Sequence, residues 1–342
     1  MKIMEELKEL CTLGGISGDE GDIREYIISR INGSCEYETD NLGNLIVHKK
    51  GRRPTSKKLM LAAHMDEVGM IITSYKNDAT LGFSAVGGVD AGVVAGRNVL
   101  VGKEKIHGVI GSPAIHNLTA EERKQPHKIS NLRIDIGASD CEEAKRYVSL
   151  GDSVIFDSEF TELGSDYCKC RAIDDRAGCA ILLDIALSEV EFDLTLVFTV
   201  QEEVGARGAK AAAFSVNPDY ALVLETTTAA DIPGVSGEKR VCILGNGAVV
   251  GFMDRSTIYD KELFNLAFDI ANEKDIKIQA KTMIAGGNDS GAIHTSRGGV
   301  KTLAISVPVR YLHSPSCVMK YSDFIACREL CLAAAERILE NA

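Results

Sequence analysis

The sequence lacks an excess of positive charge. It has 38 lysines and arginines against 49 aspartates and glutamates, so the formal net charge is −11. Nucleic acids and anionic membrane surfaces attract clustered lysine and arginine side chains, and no basic stripe interrupts this acidic sequence. We therefore expect neither nucleic acid nor a membrane among the partners of the chain.

The sequence also lacks the patterns that mark secretion, membrane insertion and disulfide frameworks. No stretch approaches the ~20 apolar residues of a membrane span. The opening MKIMEELKEL is amphipathic and has no long apolar core like that of a signal peptide. The ten cysteines are scattered, and none forms a CxxC pair. These features predict reduced thiols and a cytoplasmic protein.

Four apolar runs share one design, because each leads to a histidine or a carboxylate. They cover residues 59–63, 194–200, 220–224 and 303–307, and they lead to His64, to Glu202 and Glu203, to Glu225 and to His313. Such runs are typical of strands buried on both faces of a parallel sheet, and helical patterns alternate with them. The alternation predicts an α/β fold, and open α/β sheets bind ligands at the carboxyl ends of their strands.

Residues 68–166 do not continue this alternation. More than a hundred positions separate His64 from Asp174, although a βαβ crossover needs only a few tens. The intervening segment contains short, glycine-rich β-type runs, which predict a small all-β domain. We therefore expect a discontinuous catalytic α/β domain of residues 1–67 and 167–342, with residues 68–166 inserted in it.

Two local patterns have residues suited to a metal site. His64 and Asp66 are two apart, so in extended backbone Asp66 points to the same side and can orient the imidazole of a ligating histidine. Asp174 and Asp175 precede a helical pattern, where carboxylates are favoured by the helix dipole whether or not they bind metal. Each pattern alone also fits a purely structural role.

A third pattern combines two neighbouring acids. Glu202 and Glu203 follow an apolar run, and in extended backbone their side chains point to opposite sides. They suit two different tasks, one as metal ligand and one as general base, and we assign the base to Glu202. Glu225 and His313 are weak signals individually. Together, two histidines and several acids suit zinc, cobalt or manganese.

One local pattern concerns the start of the chain. Residues 17–20 read Ser-Gly-Asp-Glu, which resembles a capping box. The pattern predicts a capped helix that continues to Ile31.

Four motifs together resemble the TET (tetrahedral) aminopeptidases, a family that includes glutamyl and deblocking aminopeptidases. The motifs are AHMDEVG at residues 63–69, IDDRAG at 173–178, QEEVGARGA at 201–209 and RYLHSP at 310–315. They occur in the order of the family, and the resemblance covers nearly the whole chain.

The resemblance implies a phosphorylase/hydrolase-like α/β/α domain that hydrolyses the N-terminal residue of peptides with two divalent metal ions. It implies that His64, Asp174 and Glu225 hold one ion, and that Asp174, Glu203 and His313 hold the other. Glu202 would be the general base, and Asp66 would support His64. The Asp174–Asp175 peptide bond would be cis. The inserted β domain would mediate dimerisation, and six dimers would form a homo-oligomeric dodecamer.

The sequence departs from the family pattern at two places. Position 225 is often aspartate in the family and is glutamate here, which changes the reach of this ligand. Residues 286–290 read Gly-Gly-Asn-Asp-Ser where the family usually has Gly-Gly-Thr-Asp-Ala, and we expect this loop to line the specificity pocket.

Two other functional readings stay open. A glycosidase would need two carboxylates that flank a sugar bond and no metal, which leaves His64 and His313 unexplained. A non-catalytic oligomeric scaffold would leave the ligand set and Glu202 without a task. The sequence does not reveal the preferred N-terminal residue, the physiological metal or the oligomer size.

Overall fold

The computed structural model describes residues 2–121, 124, 126 and 128–341. Its α-helices are α1 (Lys2–Thr12), α2 (Gly21–Ile31), α3 (Ala91–Val94), α4 (Cys141–Tyr147), α5 (Ile173–Leu187), α6 (Arg207–Val216), α7 (Lys261–Lys274), α8 (Ser290–Ile293) and α9 (Tyr321–Glu340). Among the helices of the described residues, none combines the length and apolar character that a bilayer span requires.

The strands of the described residues form one large sheet and one closed barrel. The sheet strands are β1 (Glu36–Thr39), β2 (Leu45–Lys49), β3 (Leu59–His64), β10 (Thr161–Leu163), β11 (Tyr167–Cys170), β12 (Leu194–Thr199), β13 (Tyr220–Thr228), β14 (Ala248–Val250), β15 (Ile278–Ala280), β16 (Lys301–Arg310) and β17 (Cys317–Lys320). The main order is β1-β2-β12-β3-β13-β16-β17-β11-β10, and β14 pairs with β15 and β16.

The centre of the sheet consists of four neighbouring parallel strands, β12, β3, β13 and β16. These are the four apolar runs of the sequence, and they are buried on both faces. In β3 the residues alternate between two cores: Leu59 and Leu61 pack with α1, α5 and α9, whereas Met60 and Ala62 pack with α6 and α8. Helices therefore cover both faces, which confirms the predicted α/β/α fold.

The barrel strands come from the stretch between β3 and α5. They are β4 (Gly69–Tyr75), β5 (Leu81–Val86), β6 (Asn98–Val101), β7 (Ile106–Gly111), β8 (Arg133–Asp135) and β9 (Ser153–Phe156), closed in the order β4-β5-β8-β7-β6-β9. The barrel has its own apolar core, which includes Met70, Ile134 and Phe156. This confirms a small β domain in the fold. Strand β10, also within residues 68–166, pairs instead with β11 of the large sheet.

Two central strands are longer than the apolar runs that predicted them. β13 continues to Thr228, because its pairing with β16 extends to Thr228 opposite Val309. Glu225 therefore lies within its strand and not at the end. β16 likewise continues to Arg310, so only two residues separate the strand from His313.

Candidate active site

Five side chains converge at the carboxyl edge of the parallel strands. His64 ends β3, Glu203 lies four residues past β12, Glu225 lies near the end of β13, and His313 lies three residues past β16. Asp174 comes from the start of α5, which packs against the sheet. The structure therefore brings together the five residues that the sequence suggested as ligands.

These five residues form two groups that share one carboxylate. In the first, His64 Nε2 lies 3.4 Å from Asp174 Oδ1 and 3.4 Å from Glu225 Oε1. In the second, His313 Nε2 lies 3.2 Å from Asp174 Oδ2 and 3.3 Å from Glu203 Oε2. The two oxygens of Asp174 thus face different histidines, which is the arrangement expected of a carboxylate that bridges two ions.

The spacing of these atoms fits metal ions. Metal–ligand bonds of about 2.0–2.2 Å in tetrahedral geometry place neighbouring ligand atoms about 3.4 Å apart. The observed separations of 3.2–3.4 Å match this value and are long for direct hydrogen bonds. Asp174 Oδ1 and Glu203 Oε1 are buried and have no hydrogen-bond partner among the described residues. The residues present therefore fit two divalent ions.

Both histidines are oriented through their other ring nitrogen. His64 Nδ1 lies 2.9 Å from the main-chain oxygen of Asp66, and His313 Nδ1 lies 3.0 Å from the main-chain oxygen of Gly88. A carbonyl oxygen only accepts, so each Nδ1 carries the proton and leaves the Nε2 lone pair directed at the carboxylates. This is the usual support of a metal-ligating histidine. Gly88 follows barrel strand β5, so the inserted segment contributes to the site.

The site brings several carboxylates close together in a buried place, which is electrostatically unfavourable unless cations are bound. Burial lowers the pKa of His313, but its contacts with Asp174 and Glu203 outweigh burial and raise that pKa to about 11. Burial raises the pKa of Glu225 to about 8 even though His64 opposes this shift. Burial also raises the pKa of Glu202 well above its usual range, and neighbouring carboxylates add to this effect. Bound cations would stabilise the ionised form of such a cluster of buried acids.

The Asp66 carboxylate holds the loop that carries the two adjacent glutamates. It accepts hydrogen bonds from the main-chain N–H groups of Glu202 at 2.9 Å and Glu203 at 3.1 Å, and from Ser17 Oγ at 2.6 Å. Its nearer oxygen lies 3.5 Å from His64 Nδ1, while the main-chain oxygen of the same residue makes the 2.9 Å contact. Asp66 therefore positions both the histidine and the loop.

Two residues that sequence reasoning missed extend this support. Glu20 accepts a hydrogen bond from the main-chain N–H of Gln201 at 3.0 Å, and Asn44 accepts one from Val200 at 3.0 Å. The predicted capping box is wrong, since α2 begins at Gly21 without a side-chain cap. The Glu20 carboxylate instead fixes the start of the loop, where Gln201 has a φ of +55°. A contact 181 residues away in sequence leaves no local signal.

The start of α5 presents its two acids differently. Asp174 and Asp175 have non-helical φ and ψ values, and the peptide bond between them is cis, as the resemblance implied. Asp175 is fully buried, and its Oδ1 accepts a hydrogen bond from Gly178 N at 2.9 Å. Asp174 thus faces the histidines while Asp175 caps the helix.

A third residue that sequence reasoning missed is Asp289, which contacts the end of β12. Asp289 is buried, and the hydroxyl of Thr199, at the end of β12, donates a 2.5 Å hydrogen bond to its Oδ2. Burial raises the pKa of Asp289 to about 6. The sequence offered one signal, because Asp289 belongs to the loop of residues 286–290 that we expected near the substrate.

A cleft of about 550 Å³ opens beside the two glutamates. Its lining includes Glu202, Glu203 and His313, together with Gly287 and Asn288 of the predicted specificity loop. Two of the candidate metal ligands and the candidate base therefore border a space large enough for an amino-acid side chain.

Comparisons with known proteins agree on one family. Residues 43–330 match the family described as M42 glutamyl aminopeptidase. A putative aminopeptidase of Acetivibrio thermocellus is 40% identical over 321 residues, which cover 93% of each chain.

Two solved structures share the fold over almost the full length of the chain. The TET1 peptidase of Pyrococcus horikoshii, which can assemble into a tetrahedron or a large octahedral shell, is 36% identical, with a TM-score of 0.86. The match covers 97% of this chain and 99% of that one. A Thermotoga maritima protein named endoglucanase is 38% identical, with a TM-score of 0.81 and 98% of each chain covered.

Proposed function

Because this chain belongs to the M42 glutamyl aminopeptidase family, and is thus a metal-dependent aminopeptidase, we propose that it uses two divalent ions and Glu202 to release N-terminal residues. We assign one ion to His64, Asp174 and Glu225, and the other to Asp174, Glu203 and His313. Zinc, cobalt and manganese all suit this mixture of nitrogen and oxygen ligands.

The observation that carries the proposal is the position of Asp174. Its two oxygens lie 3.4 Å and 3.2 Å from the Nε2 atoms of two histidines that come from different strands. Each histidine has a further carboxylate at a similar distance, Glu225 for His64 and Glu203 for His313. This geometry favours two adjacent ions with a shared ligand.

Glu202 has the remaining chemical task. When bound, two divalent ions polarise a peptide carbonyl and lower the pKa of a water molecule. Glu202 borders the same cleft as Glu203 and His313. It also lies close enough to His64 and Glu203 to share an ion with them, but the two ligand groups that we assign are complete without it. Its carboxylate takes the proton from the attacking water and delivers it to the leaving amine. The main-chain N–H of Glu202 donates a hydrogen bond to the Asp66 carboxylate, which positions Glu202.

The charge of the site favours a substrate with a free amino terminus. The carboxylates of Asp66, Asp174, Glu202, Glu203 and Glu225 outnumber the four positive charges of two divalent ions. The remaining negative charge attracts the α-ammonium group of a peptide. This supports removal of the first residue over cleavage within a chain.

Removal of the metal is expected to abolish aminopeptidase activity. Dialysis against a chelator leaves the buried acids without their cations, and the carbonyl is no longer polarised. Hydrolysis of an aminoacyl p-nitroanilide measures the loss, and addition of zinc, cobalt or manganese is expected to restore it. Activity that survives after metal analysis shows less than one ion per ten subunits would contradict the proposal.

The same sample tests the glycosidase alternative, which the name of the Thermotoga relative favours. That reaction needs two carboxylates that flank a sugar bond, about 5–5.5 Å or 6.5–9.5 Å apart, and no metal. It gives no role to His64 and His313, whose Nε2 atoms face carboxylates at 3.2–3.4 Å. Chelator-resistant cleavage of carboxymethylcellulose would favour the glycosidase, and we expect none.

We also propose a cytoplasmic homo-oligomer with dimer contacts through the barrel. All ten cysteines lie in the described part of the chain and are free, which favours a reducing compartment. Relatives include a peptidase that assembles into a tetrahedron. Light scattering after gel filtration is expected to give the mass of about twelve subunits of 36.8 kDa. A mass of one subunit at micromolar concentration would refute the assembly.

A further inference from the structure

The cleft beside the proposed base has a wall of small, uncharged residues. Besides Glu202 and Glu203, its lining includes Ala206, Ser256, Gly287, Asn288, Gly291 and Ala292. None of the described residues that line the cleft is a lysine or an arginine. Its acids are the two glutamates that the proposed mechanism already uses.

Close packing keeps this wall free of larger side chains. A Cβ atom built on Gly287 would lie 2.7 Å from Ser256 Oγ, and one on Gly291 would lie 2.6 Å from Ser256 Cβ. Real Cβ atoms do not approach other atoms so closely, so the loop and α8 pack on Ser256 only because both positions are glycine. The volume of the cleft therefore remains available to a substrate.

The polar groups of the wall already have partners. Asn288 accepts a hydrogen bond from Ser290 N at 2.9 Å, and its amide nitrogen donates to Tyr259 Oη at 3.2 Å. Ser256 Oγ donates to Asp254 Oδ1 at 2.9 Å. These side chains are uncharged and already hydrogen-bonded within the protein, so they do not neutralise a charged group in the cleft.

The nearest cations in sequence lie outside the wall. Arg255 precedes Ser256 and is exposed, and it is not among the lining residues. Lys281 donates a hydrogen bond to the Ala285 main-chain oxygen at 3.1 Å. The proposed ions are balanced by the carboxylates that bind them, and the described lining residues offer an acidic side chain no lysine or arginine beside Glu202 and Glu203, which is unfavourable.

We propose that this cleft receives the side chain of the first residue of the substrate and selects large uncharged residues such as leucine and methionine. An acidic first residue is rejected, although the family takes its name from a glutamyl aminopeptidase. A large aliphatic side chain gains more than alanine because it buries more apolar surface in the cleft. This inference rests on the proposed aminopeptidase function.

A panel of aminoacyl p-nitroanilides with leucine, methionine, alanine, lysine and glutamate tests the inference on the metal-loaded enzyme. We expect kcat/KM to be highest for leucine and methionine, about tenfold lower for alanine and about a hundredfold lower for glutamate. A preference for glutamate or lysine would overturn the inference and leave the aminopeptidase function intact. Release of no residue by enzyme with two bound ions would overturn both.

A charge placed in the wall provides a matched test. Ala206 is half-buried at the cleft, and Ala206→Lys adds a cation there without changing the metal ligands. We expect the leucine-to-glutamate ratio of kcat/KM to fall about tenfold. Ser215→Lys adds the same charge on the exposed end of α6, outside the cleft, and is expected to leave the ratio unchanged. Equal ratios in both variants and the parent would show that another surface selects the first residue.

Discussion

Glu202→Gln is expected to lower kcat about a thousandfold while both metal ions remain bound. Glutamine keeps the size of the side chain but cannot take a proton from water at neutral pH. The main-chain N–H of residue 202 still donates to Asp66, so the loop and its neighbour Glu203 keep their positions. Because the change affects proton transfer and not substrate binding, KM is expected to change little.

Metal content and kinetics on one preparation decide this prediction. Metal analysis of the gel-filtered variant is expected to give two ions per subunit, as in the parent. Glu104→Gln, an exposed glutamate of the barrel, is a matched control and should retain full activity. Loss of the ions together with activity would assign Glu202 to metal binding, and an unchanged kcat would remove it from the chemistry.

The candidate ligands could be predicted because the fold imposes their convergence. Parallel strands end at one edge of a sheet, so a histidine or carboxylate near the end of β3, β12, β13 and β16 must lie near the others. The exact end of a strand was less predictable. Glu225 was placed after its strand, but pairing with β16 extends β13 to Thr228, and such pairing is a tertiary effect.

The support around the ligands could not be predicted in the same way. Glu20 resembled part of a local capping box, yet its carboxylate binds the main chain of Gln201 on another element. The acceptor for His313 is the main-chain oxygen of Gly88. Every residue has such an oxygen, so the residue type does not reveal the contact. Sequence patterns identify which side chains carry chemistry, whereas the groups that orient them depend on distant backbone.

The shared ligand makes a second strong prediction, since Asp174 and His313 should differ in how many ions they hold. Asp174→Asn removes the charge and replaces one of the two oxygens that face His64 and His313. Amide nitrogen does not bind divalent ions, so both sites lose a ligand or a charge, and we expect less than one ion per subunit. His313→Ala removes a ligand from one group alone, and we expect one ion to remain with His64 and Glu225.

Metal analysis after gel filtration, followed by calorimetric titration with zinc, measures this difference. Both variants are expected to lose at least about a thousandfold in kcat/KM, because the chemistry needs both ions. Asp269→Asn on the exposed side of α7 and His107→Ala on the barrel surface are matched controls and should bind two ions. If His313→Ala lost both ions as fully as Asp174→Asn, the two sites would not be separable and the bridging role of Asp174 would be wrong. If Asp174→Asn kept two ions, the carboxylate would not be a ligand, because the loss of its negative charge must lower the affinity for any ion that it binds.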